Sequence, residues 1–303
     1  SRQSYGMLTI GHVPFLWVLL FYFMTGLWIW KKNGQNRHIR ISLAYVIMII
    51  LIWIPMARRK SLAFLDVGQG DCFVADTKSG AIIFDGGSSS EDQVGRYRIL
   101  PYMKYLGYQK IQIAVISHMD IDHYSGIKEL LEMGKIKYLG LPEIPKDETM
   151  KKIIGIAKKR GTTIFYLSRG RQITTKDGSL KVLHPQKNSQ MEKNAASLVM
   201  QGKILGYRVL LTGDVEKEGE EELLSEELER ADILKAAHHG SKNSTSNEFL
   251  QKVQPKQTVI SCGKQNRYGH PHLETIHRLQ TYHTKIYRTD RSGAIIFFKR
   301  RDG

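Results

Sequence analysis

The sequence predicts an α/β domain preceded by a transmembrane helical hairpin, and three observations lead to this fold class. Two long runs without charged residues lie within the first 60 positions. From residue 61 onward, short apolar runs alternate with amphipathic stretches, and glycine-rich turns separate them. Histidine and aspartate residues follow several of the apolar runs directly. We therefore expect a membrane segment over residues 1–60 and a metal-binding domain over residues 61–303.

The first uncharged run, residues 7–30, is long enough to cross a membrane, because about 20 apolar residues span the hydrocarbon core. The second run, residues 41–56, is shorter and requires Arg40 and Arg58 to reach the interface from its two ends. A signal peptide followed by a core helix and a buried helical pair are the alternatives. Two long aromatic-rich runs lack the charged start, short apolar core and cleavage site of a signal peptide.

The orientation of the hairpin does not follow from charge, because both its loop and its exit segment are basic. The chain begins at Ser1 without an initiator Met, so we expect the hairpin to be the end of a larger membrane channel domain. The expected location is the cell membrane, with several spans.

The composition is that of a globular protein, with 42% hydrophobic and 24% charged residues, which excludes a disordered polycation and a collagen-like fibre. Two cysteines, Cys72 and Cys262, are too few for a disulfide framework or a four-cysteine zinc site. The net charge is +16, and half of it comes from the first 60 residues, which contain no Asp or Glu. The charge therefore permits a polyanionic substrate without predicting one.

Successive short β-rich runs over 61–67, 71–76 and 81–85, with tight turns between them, predict an antiparallel start to a sheet. A helix around 96–106 precedes an apolar strand over 111–117 that is typical of burial on both faces. Further strands are expected at 136–141, 163–167, 180–184, 197–201, 207–212, 232–237, 257–262, 285–290 and 294–298. Further helices are expected at 124–133, 147–160, 216–229 and 272–283, the acidic third one with a solvated face. About 240 residues of this kind form one large domain or two fused halves.

A cluster of metal-binding residue types follows the strand at 111–117, and its members are His118, Asp120, Asp122 and His123. Imidazole suits transition metals, whereas carboxylates suit harder ions and can bridge two of them. The alternative interpretation is a polar turn in which Asp122 caps the next helix and the histidines are exposed. Asp214 ends another apolar strand, and His238, His239 and Ser241 follow a third. Open α/β sheets bind ligands at such strand ends, so the three motifs together predict a metal site.

Seven segments carry a resemblance to a known family: FLDVGQGD (64–71), IFDGG (83–87), SHMDIDHYSG (117–126), NAASLV (194–199), LLTGD (210–214), LKAAHHGS (234–241) and NRYGHPH (266–272). They resemble the metallo-β-lactamase superfamily and, within it, the C-terminal hydrolase domain of the ComEC family of DNA-uptake proteins. The resemblance covers about residues 62–298 and implies an αββα four-layer sandwich with a binuclear metal centre between two similar halves. The apolar hairpin is consistent with it, because that hydrolase domain follows a multi-helix membrane domain.

The resemblance implies the metal ligands His118, Asp120, Asp122, His123, Asp214 and one of His238 and His239. We prefer His238, which lies at the strand end, with His239 second. Asp120 stands where the common motif has a second histidine, and the superfamily histidine before Asp214 has no clear counterpart. His184 and Asn194 are the nearest candidates for it. The oxygen-rich set favours Mn²⁺ over Zn²⁺ for the two divalent ions.

Two metals can activate water for phosphodiester hydrolysis without a covalent enzyme intermediate. Asp122 would hold the nucleophilic water, and His270 would donate to a phosphate oxygen or protonate the leaving alkoxide. Asn266, Tyr268 and His270 are the expected substrate contacts, although a simple turn explains this segment equally well. Ser241 and Asn243 are either oxyanion contacts or caps. Asp66, Gln69 and Asp71 border the metal face, and Asp85 is interpreted as turn chemistry.

By resemblance, the expected activity is that of a nuclease, with an exonuclease preferred, that degrades the non-transported DNA strand during natural transformation. The hydrolase domain would then lie outside the cytoplasmic membrane, and its partners would be single-stranded DNA, the membrane and the rest of the competence channel. One alternative is a membrane-tethered phosphodiesterase acting on a small or surface-linked phosphoester, such as a phosphocholine substituent. The other is a noncatalytic DNA-binding module, against which the retained metal residues argue.

Overall fold

The computed structural model describes residues 11–30, 39, 42–47, 59–191, 194–226 and 228–300. The chain divides into two compact units, one of residues up to 58 with 104–109 and one of residues 59–103 with 110–303. The first unit contains helix α1, Phe15–Trp30, within the first predicted apolar run. No helix among the described residues is both long and apolar enough to span a membrane. Most of the second run lies outside the described residues, so the transmembrane hairpin stays a prediction.

The second unit contains two seven-stranded sheets. The first sheet consists of β1 Ser61–Phe64, β2 Phe73–Thr77, β3 Gly80–Phe84, β4 Ile111–Val115, β5 Ile136–Pro142, β6 Thr163–Leu167 and β14 Ile295–Phe298. Its spatial order is β14-β1-β2-β3-β4-β5-β6. Pairing is antiparallel from β14 to β3 and parallel from β3 to β6, with Phe84 opposite Val115. The antiparallel start that the glycine turns predict is therefore present.

The second sheet has the same organisation. Its strands are β7 Gln172–Thr175, β8 Gly178–His184, β9 Val199–Ile204, β10 Tyr207–Leu211, β11 Ile233–Lys235, β12 Gln257–Ile260 and β13 Lys285–Arg288. The pairs from β7 to β10 are antiparallel and those from β10 to β13 are parallel. The repeated alternation of the sequence thus corresponds to two similar halves in one unit.

Among the described residues of this unit, all helices but the last lie in crossover connections between parallel strands, which a tight turn cannot join. These helices are α2 Leu100–Tyr105, α3 Ile121–Glu132, α4 Glu148–Lys159, α5 Lys217–Leu224, α6 Asn247–Val253, α7 Leu273–Thr281 and the one-turn α8 Thr289–Ser292. A π-helical segment, Gly95–Ile99, continues directly into α2. Asp147 caps α4 by accepting from Met150 N at 2.7 Å. Strand β7, helix α6 and the one-turn α8 are additions to the sequence-based assignment, and α8 begins inside the strand expected over 285–290.

One predicted helix is wrong in length and partly wrong in exposure. The acidic run was expected to form a solvated helix over 216–229, but α5 ends at Leu224. Glu220 in this helix is buried, and its carboxylate accepts hydrogen bonds from the backbone N–H groups of Thr245 and Ser246. These bonds compensate the cost of burying the carboxylate and tie α5 to the loop that follows the second histidine motif.

Apolar residues of both sheets form one core between them, including Leu62, Phe64, Val182, Met200 and Val209. A second cluster joins the outer face of the second sheet to the helices, through Leu210, Leu234, Leu223, Phe249 and Leu279 among others. Helices α3 and α4 bury Ile127, Leu130, Met150 and Ile153 beside the first sheet. Each such side chain contributes roughly 1.5–3 kcal/mol relative to exposure. The layers are those of a mixed α/β fold with two stacked sheets and outer helices.

Candidate metal centre

The histidine at the start of α3 is held by a buried aspartate that follows β3. Asp85 accepts from Ser117 N at 2.7 Å and from Ser117 Oγ at 2.8 Å, and its Oδ2 lies 2.9 Å from His123 Nδ1. Because a carboxylate can only accept, this contact places a proton on Nδ1. Nε2 of His123 is buried without a hydrogen-bond partner among the described residues and lies 3.2 Å from Asp214 Oδ1.

His239 has the same arrangement in the other half of the fold. Its Nδ1 lies 2.9 Å from the carbonyl oxygen of Ser261, which therefore accepts from it. Its Nε2 lies 3.3 Å from Asp214 Oδ2 and 3.4 Å from Asp122 Oδ2. This nitrogen, too, lacks a hydrogen-bond partner in the described part of the chain. Two histidines from different halves thus present their outermost ring nitrogens to the same carboxylate.

An unusual backbone conformation gives His239 this position. A 3-10 turn, Ala237–Gly240, follows β11, and within it His238 and His239 have φ values of 46° and 53°. Non-glycine residues in the left-handed region cost of order 1–3 kcal/mol each and cluster at functional sites. The two left-handed residues turn the chain so that His239 is buried, whereas His238 stays partly exposed.

His238 lies at the edge of this cluster. Its Nδ1 is 2.9 Å from Glu216 Oε1, and its Nε2 is 3.8 Å from Asp214 Oδ2. The geometry therefore favours His239 over His238 as the ligand, the reverse of the order that the strand end suggested. The reason is that β11 ends at Lys235, so the histidines belong to a turn whose direction the apolar pattern does not specify.

His118 and Asp120 form a second group of donors beside the first. His118 Nδ1 lies 3.0 Å from Ser117 Oγ, and the His118 and His123 ring centroids are 4.1 Å apart. His118 Nε2 is buried, lies 3.6 Å from Asp120 Oδ2 and has no hydrogen-bond partner within the described ranges. The backbone N–H of Asp214 donates to Ser197 Oγ at 3.3 Å, which holds the backbone of this residue beside the first group.

The residues fit divalent metal ions. A buried imidazole nitrogen without a partner is costly, and three of them lie among carboxylates here, on His118, His123 and His239. Ligand atoms of Asp71, His123, Asp214 and His239, all buried, lie within 4.8 Å of one another. Mixed imidazole and carboxylate donors are those of Zn²⁺, Mn²⁺ and iron sites.

The electrostatics of this cluster support cation binding. Burial alone would lower the pKa of His239, but the carboxylates of Asp214 and Asp71 raise it to about 10. Burial likewise opposes the effect of Asp214 and Asp85 on His123, whose pKa is raised well above its ordinary value. Burial would raise the pKa of Asp122, but the contact with His239 Nε2 at 3.4 Å and the positive charges of His123 and His239 lower it to about 2. The centre attracts positive charge, so a metal ion must displace protons from it.

The loop after β12 brings His270 to the same region. Its ring centroid lies 5.4 Å from that of His238, and the Tyr268 ring stacks on it at 5.7 Å. Burial, and then the charges of His239 and His238, lower the pKa of His270 to about 4. The ring is neutral at neutral pH, which favours a hydrogen-bonding role over protonation of a leaving group.

Asn266 is used within this loop. Its Nδ2 donates to the carbonyl oxygens of Gly263, at 2.9 Å, and His270, at 2.6 Å, while its Oδ1 accepts from His270 N at 2.9 Å. The expected substrate contact is therefore engaged in holding His270. Tyr268 is 43% exposed, and the Arg267 guanidinium lies 4.8 Å from its ring centroid.

Ser241 and Asn243 lie on the loop after the histidine turn. Ser241 is buried, and its Oγ accepts from Asn243 N at 3.3 Å, as expected for a cap. Asn243 is exposed and borders a cavity of about 740 Å³ that Glu216 and Lys242 also line. Neither side chain lies in the histidine–aspartate cluster by any contact recorded in the described ranges.

The two candidates for the absent superfamily histidine have other partners. His184 Nε2 lies 2.7 Å from the Ala195 carbonyl oxygen, and its Nδ1 lies 3.0 Å from Glu222 Oε2. Asn194 Nδ2 donates to Glu216 Oε1 at 3.4 Å. Ser197, from the NAASLV segment, is the residue of this region that contacts Asp214.

Asp71 was expected to border the metal face and lies beside the centre, whereas Asp85 and Lys235 were not expected as part of it. Asp85 was interpreted as turn chemistry and proves to orient His123. Lys235 Nζ donates to the Gly213 carbonyl oxygen at 2.8 Å and forms ion pairs with Asp71 and Asp214. The signal for Lys235 was a charged residue at the end of a buried strand, which the sequence displays in DILKAA.

Comparisons with known proteins agree with this geometry. The metallo-beta-lactamase superfamily matches residues 65–264. ComE operon protein 3 of Bacillus subtilis (strain 168) is 35% identical over 294 residues, which cover 90% of this chain and 38% of that protein. Competence protein ComA of Neisseria gonorrhoeae is 30% identical over 248 residues, which cover 78% of this chain and 32% of that protein. The chain thus spans about a third of the length of these relatives.

A solved structure supports the fold. The crystal structure of the metallo-beta-lactamase fold protein YhfI from Bacillus subtilis matches with a TM-score of 0.54 and 12% identity, over 78% of this chain and 99% of that one. At this identity the match concerns the fold alone. The motif-based relation to competence proteins is confirmed by the two sequence relatives. The chain belongs to the metallo-beta-lactamase superfamily.

Proposed function

We propose that this chain is a metal-dependent phosphodiesterase that degrades single-stranded DNA, the non-transported strand, at a DNA-uptake channel. The observation that carries the proposal is the set of three buried imidazole nitrogens, on His118, His123 and His239, that face carboxylates and lack hydrogen-bond partners in the described structure. The similarity to ComE operon protein 3 and competence protein ComA supports the DNA-uptake setting.

The side chains divide into two donor groups. His118 and Asp120 would hold one divalent cation, and Asp122, His123 and His239 would hold another together with Asp214, which lies 3.2 and 3.3 Å from the Nε2 atoms of His123 and His239. Bound divalent ions, Mn²⁺ preferred and Zn²⁺ the alternative, supply an activated water and neutralise charge on the phosphate oxygens. The oxygen-rich donors support the preference for Mn²⁺.

The remaining residues would bind and orient the substrate. The pKa of Asp122, about 2, keeps it a carboxylate that can accept a hydrogen bond from the attacking water. His270 is neutral and can donate one N–H to a phosphate oxygen. The exposed ring of Tyr268, stacked on His270, offers a surface for a nucleobase, and such stacking contributes roughly 1–3 kcal/mol per base.

The location is part of the proposal. We place the chain at the cell membrane as the end of a multi-pass channel domain, with the hydrolase unit on the extracellular side. The uncharged run that contains α1 supports a membrane segment. The expected partners are the membrane and the remainder of the competence channel.

A second candidate function is hydrolysis of a small phosphodiester. The cavity of about 740 Å³ beside Glu216, the partner of His238, has the volume of a small-molecule site. Its lining mixes acids such as Glu221 and Glu248 with Lys217 and Lys242, which suits a zwitterionic substrate better than a polyanion. A noncatalytic DNA-binding module would not explain the partnerless histidine nitrogens.

The experiment uses the 303-residue chain, stripped of metal with a chelator and reloaded with Mn²⁺. Release of nucleotides from end-labelled single-stranded DNA is compared with hydrolysis of a small chromogenic phosphodiester. We expect Mn²⁺-dependent DNA hydrolysis that Asp122→Asn abolishes and the exposed control Asp92→Asn preserves. Cleavage of the small diester with intact DNA would favour the second candidate function and reject the nuclease.

A further inference from the structure

A lysine is buried beside the metal centre. Lys235 ends β11, and its side chain is only 5% exposed. Its Nζ lies 2.8 Å from the Gly213 carbonyl oxygen and 3.3 Å from Asp214 Oδ1, and it forms an ion pair with Asp71 Oδ2. Lysine is almost never buried this deeply unless it is paired, because removing an ammonium from water costs several kcal/mol.

Asp71 belongs to the same buried cluster and lies beside the Nδ1 atoms of its two histidines. Its Oδ2 is 3.7 Å from His123 Nδ1, and its Oδ1 is 3.7 Å from His239 Nδ1. These Nδ1 atoms already donate to Asp85 and to the Ser261 carbonyl oxygen. Asp71 therefore lies at the Nδ1 edges of both rings, whereas Asp214 lies at their Nε2 atoms.

Water has almost no room to solvate the ammonium of Lys235. A cavity bordered by Asp71, Asp85, Lys235 and Ser261 has a volume of about 10 Å³. That is room for a single water at most. The charge of Lys235 must therefore be balanced by the carboxylates around it.

The formal charges of the centre show what the lysine does there. Five carboxylates lie within 3.7 Å of a ring nitrogen of His118, His123 or His239, on Asp71, Asp85, Asp120, Asp122 and Asp214. The ammonium of Lys235 compensates one of them. The four negative charges that remain equal the charge of two divalent cations.

We propose that Lys235 is a fixed internal cation of the metal centre, which together with Asp71 positions Asp214 and limits the affinity of the centre for divalent cations. The proposal rests on the proposed metal centre. Lys235 is a positioning residue, since it contacts the Asp214 carboxylate that faces His123 and His239, and it contacts no substrate position. Its charge opposes an incoming cation, whereas the charge of Asp71 attracts one.

The charges of Lys235 and Asp71 are opposite and should have opposite effects on Mn²⁺ affinity, which provides the test. Mn²⁺ affinity and stoichiometry are measured by calorimetry, and thermal unfolding is followed in chelator, for wild type, Lys235→Met, Asp71→Asn and the double variant. We expect Lys235→Met to bind Mn²⁺ about tenfold more tightly while its metal-free form unfolds at a lower temperature. Asp71→Asn should bind about tenfold more weakly, and the double variant should return to within about threefold of wild type.

A matched control separates the effect of the Lys235 charge on Mn²⁺ affinity from its effect on stability. Lys60 forms an ion pair with the buried Asp76 at 2.8 Å, between the segment before β1 and strand β2. Lys60→Met should lower the unfolding temperature without changing Mn²⁺ affinity. If Lys235→Met does not fold, the double variant still tests the proposal, because it removes Lys235 and Asp71 together and leaves neither charge unpaired. A double variant that binds Mn²⁺ as weakly as Asp71→Asn would reject the proposal.

Two results overturn the inference in different ways. If wild type binds Mn²⁺ but Lys235→Met and Asp71→Asn weaken binding alike, the lysine is merely structural and the metal centre stands. If wild type binds no divalent metal, both this inference and the proposed function are wrong.

Discussion

The carboxylate of Asp85 lies 2.9 Å from Nδ1 of His123, and the opposite nitrogen of the same ring lies 3.2 Å from Asp214 Oδ1. Such a carboxylate fixes the tautomer and orientation of a metal-binding imidazole. Asp85 is able to do so because β3 and β4 are parallel neighbours, so that the ends of both strands meet. The Asp85–His123 contact therefore sets the direction from which His123 Nε2 can bind a cation.

Replacing Asp85 should weaken metal binding without removing a ligand. We expect Asp85→Asn to lower Mn²⁺ affinity by about 10–100-fold, because the ring loses its orienting acceptor. Calorimetric titration measures this change. Asp147→Ala is a control that removes the cap of α4 and costs about 1 kcal/mol of stability. Equal effects of the two substitutions on affinity would mean that Asp85 only stabilises the fold.

The two adjacent histidines should differ sharply. His239→Ala removes a buried Nε2 that lies within 3.4 Å of Asp122 and Asp214, so we expect about a 100-fold loss of metal affinity. His238→Ala removes a ring whose nearest acid among the described residues is Glu216, and it should change metal affinity by less than about fivefold. Metal titration of both variants decides between them. The opposite ranking would restore His238 as the ligand.

The pH dependence of metal binding follows from the shifted histidines. In the metal-free chain the pKa of His239 is about 10, above the ordinary 6.5. The protonated ring therefore stabilises the folded metal-free chain fully below pH 6.5, and this stabilisation is lost as the pH rises through about 10. His123 has a raised pKa as well and acts in the same direction. A bound cation displaces these protons. The gain in unfolding temperature on adding Mn²⁺ should therefore increase with pH across this window, and a gain that shrinks with rising pH would contradict the ligand assignment.

Gly87 lies where a side chain cannot fit. A Cβ atom there would come within 2.6 Å of the Asp122 carbonyl carbon, the His123 nitrogen and the Ile121 oxygen. Gly87→Ala should therefore displace the start of α3, cost about 1–3 kcal/mol of stability and weaken metal binding. Gly155→Ala is the matched control, since no described atom lies within 4 Å of the added carbon, and it should stabilise α4 by about 0.5–1 kcal/mol. Denaturant unfolding of both variants measures these changes in stability. An unchanged free energy of unfolding for Gly87→Ala would show that the loop has room to move.

The sequence predicts those parts of the site that lie next to an apolar strand. His118, His123 and Asp214 could be located because each follows a buried run that ends at the same side of its sheet. Asp85 is 38 residues from His123, and only the pairing of β3 with β4 brings them together. That pairing is a long-range contact which the local pattern of polar and apolar residues does not encode.

Two other features depend on conformation. The choice of His239 over His238 follows from two left-handed residues, for which a His-His-Gly sequence gives no sign. Helix α5 ends at Leu224 although the acidic residues continue beyond it, and the Lys252 ammonium donates to the carbonyl oxygens of Leu224 and Glu226 at this end. Helical propensity is overridden there by packing.

The most direct test of the metal-dependent nuclease is a joint titration. Mn²⁺ is added stepwise to the metal-free chain, and bound metal and hydrolysis of single-stranded DNA are measured on the same samples. Our account predicts that hydrolysis rises with occupancy, saturates at about two ions per chain and disappears when the chelator removes them. Full occupancy without any DNA hydrolysis, or hydrolysis that survives removal of the metal, would contradict it.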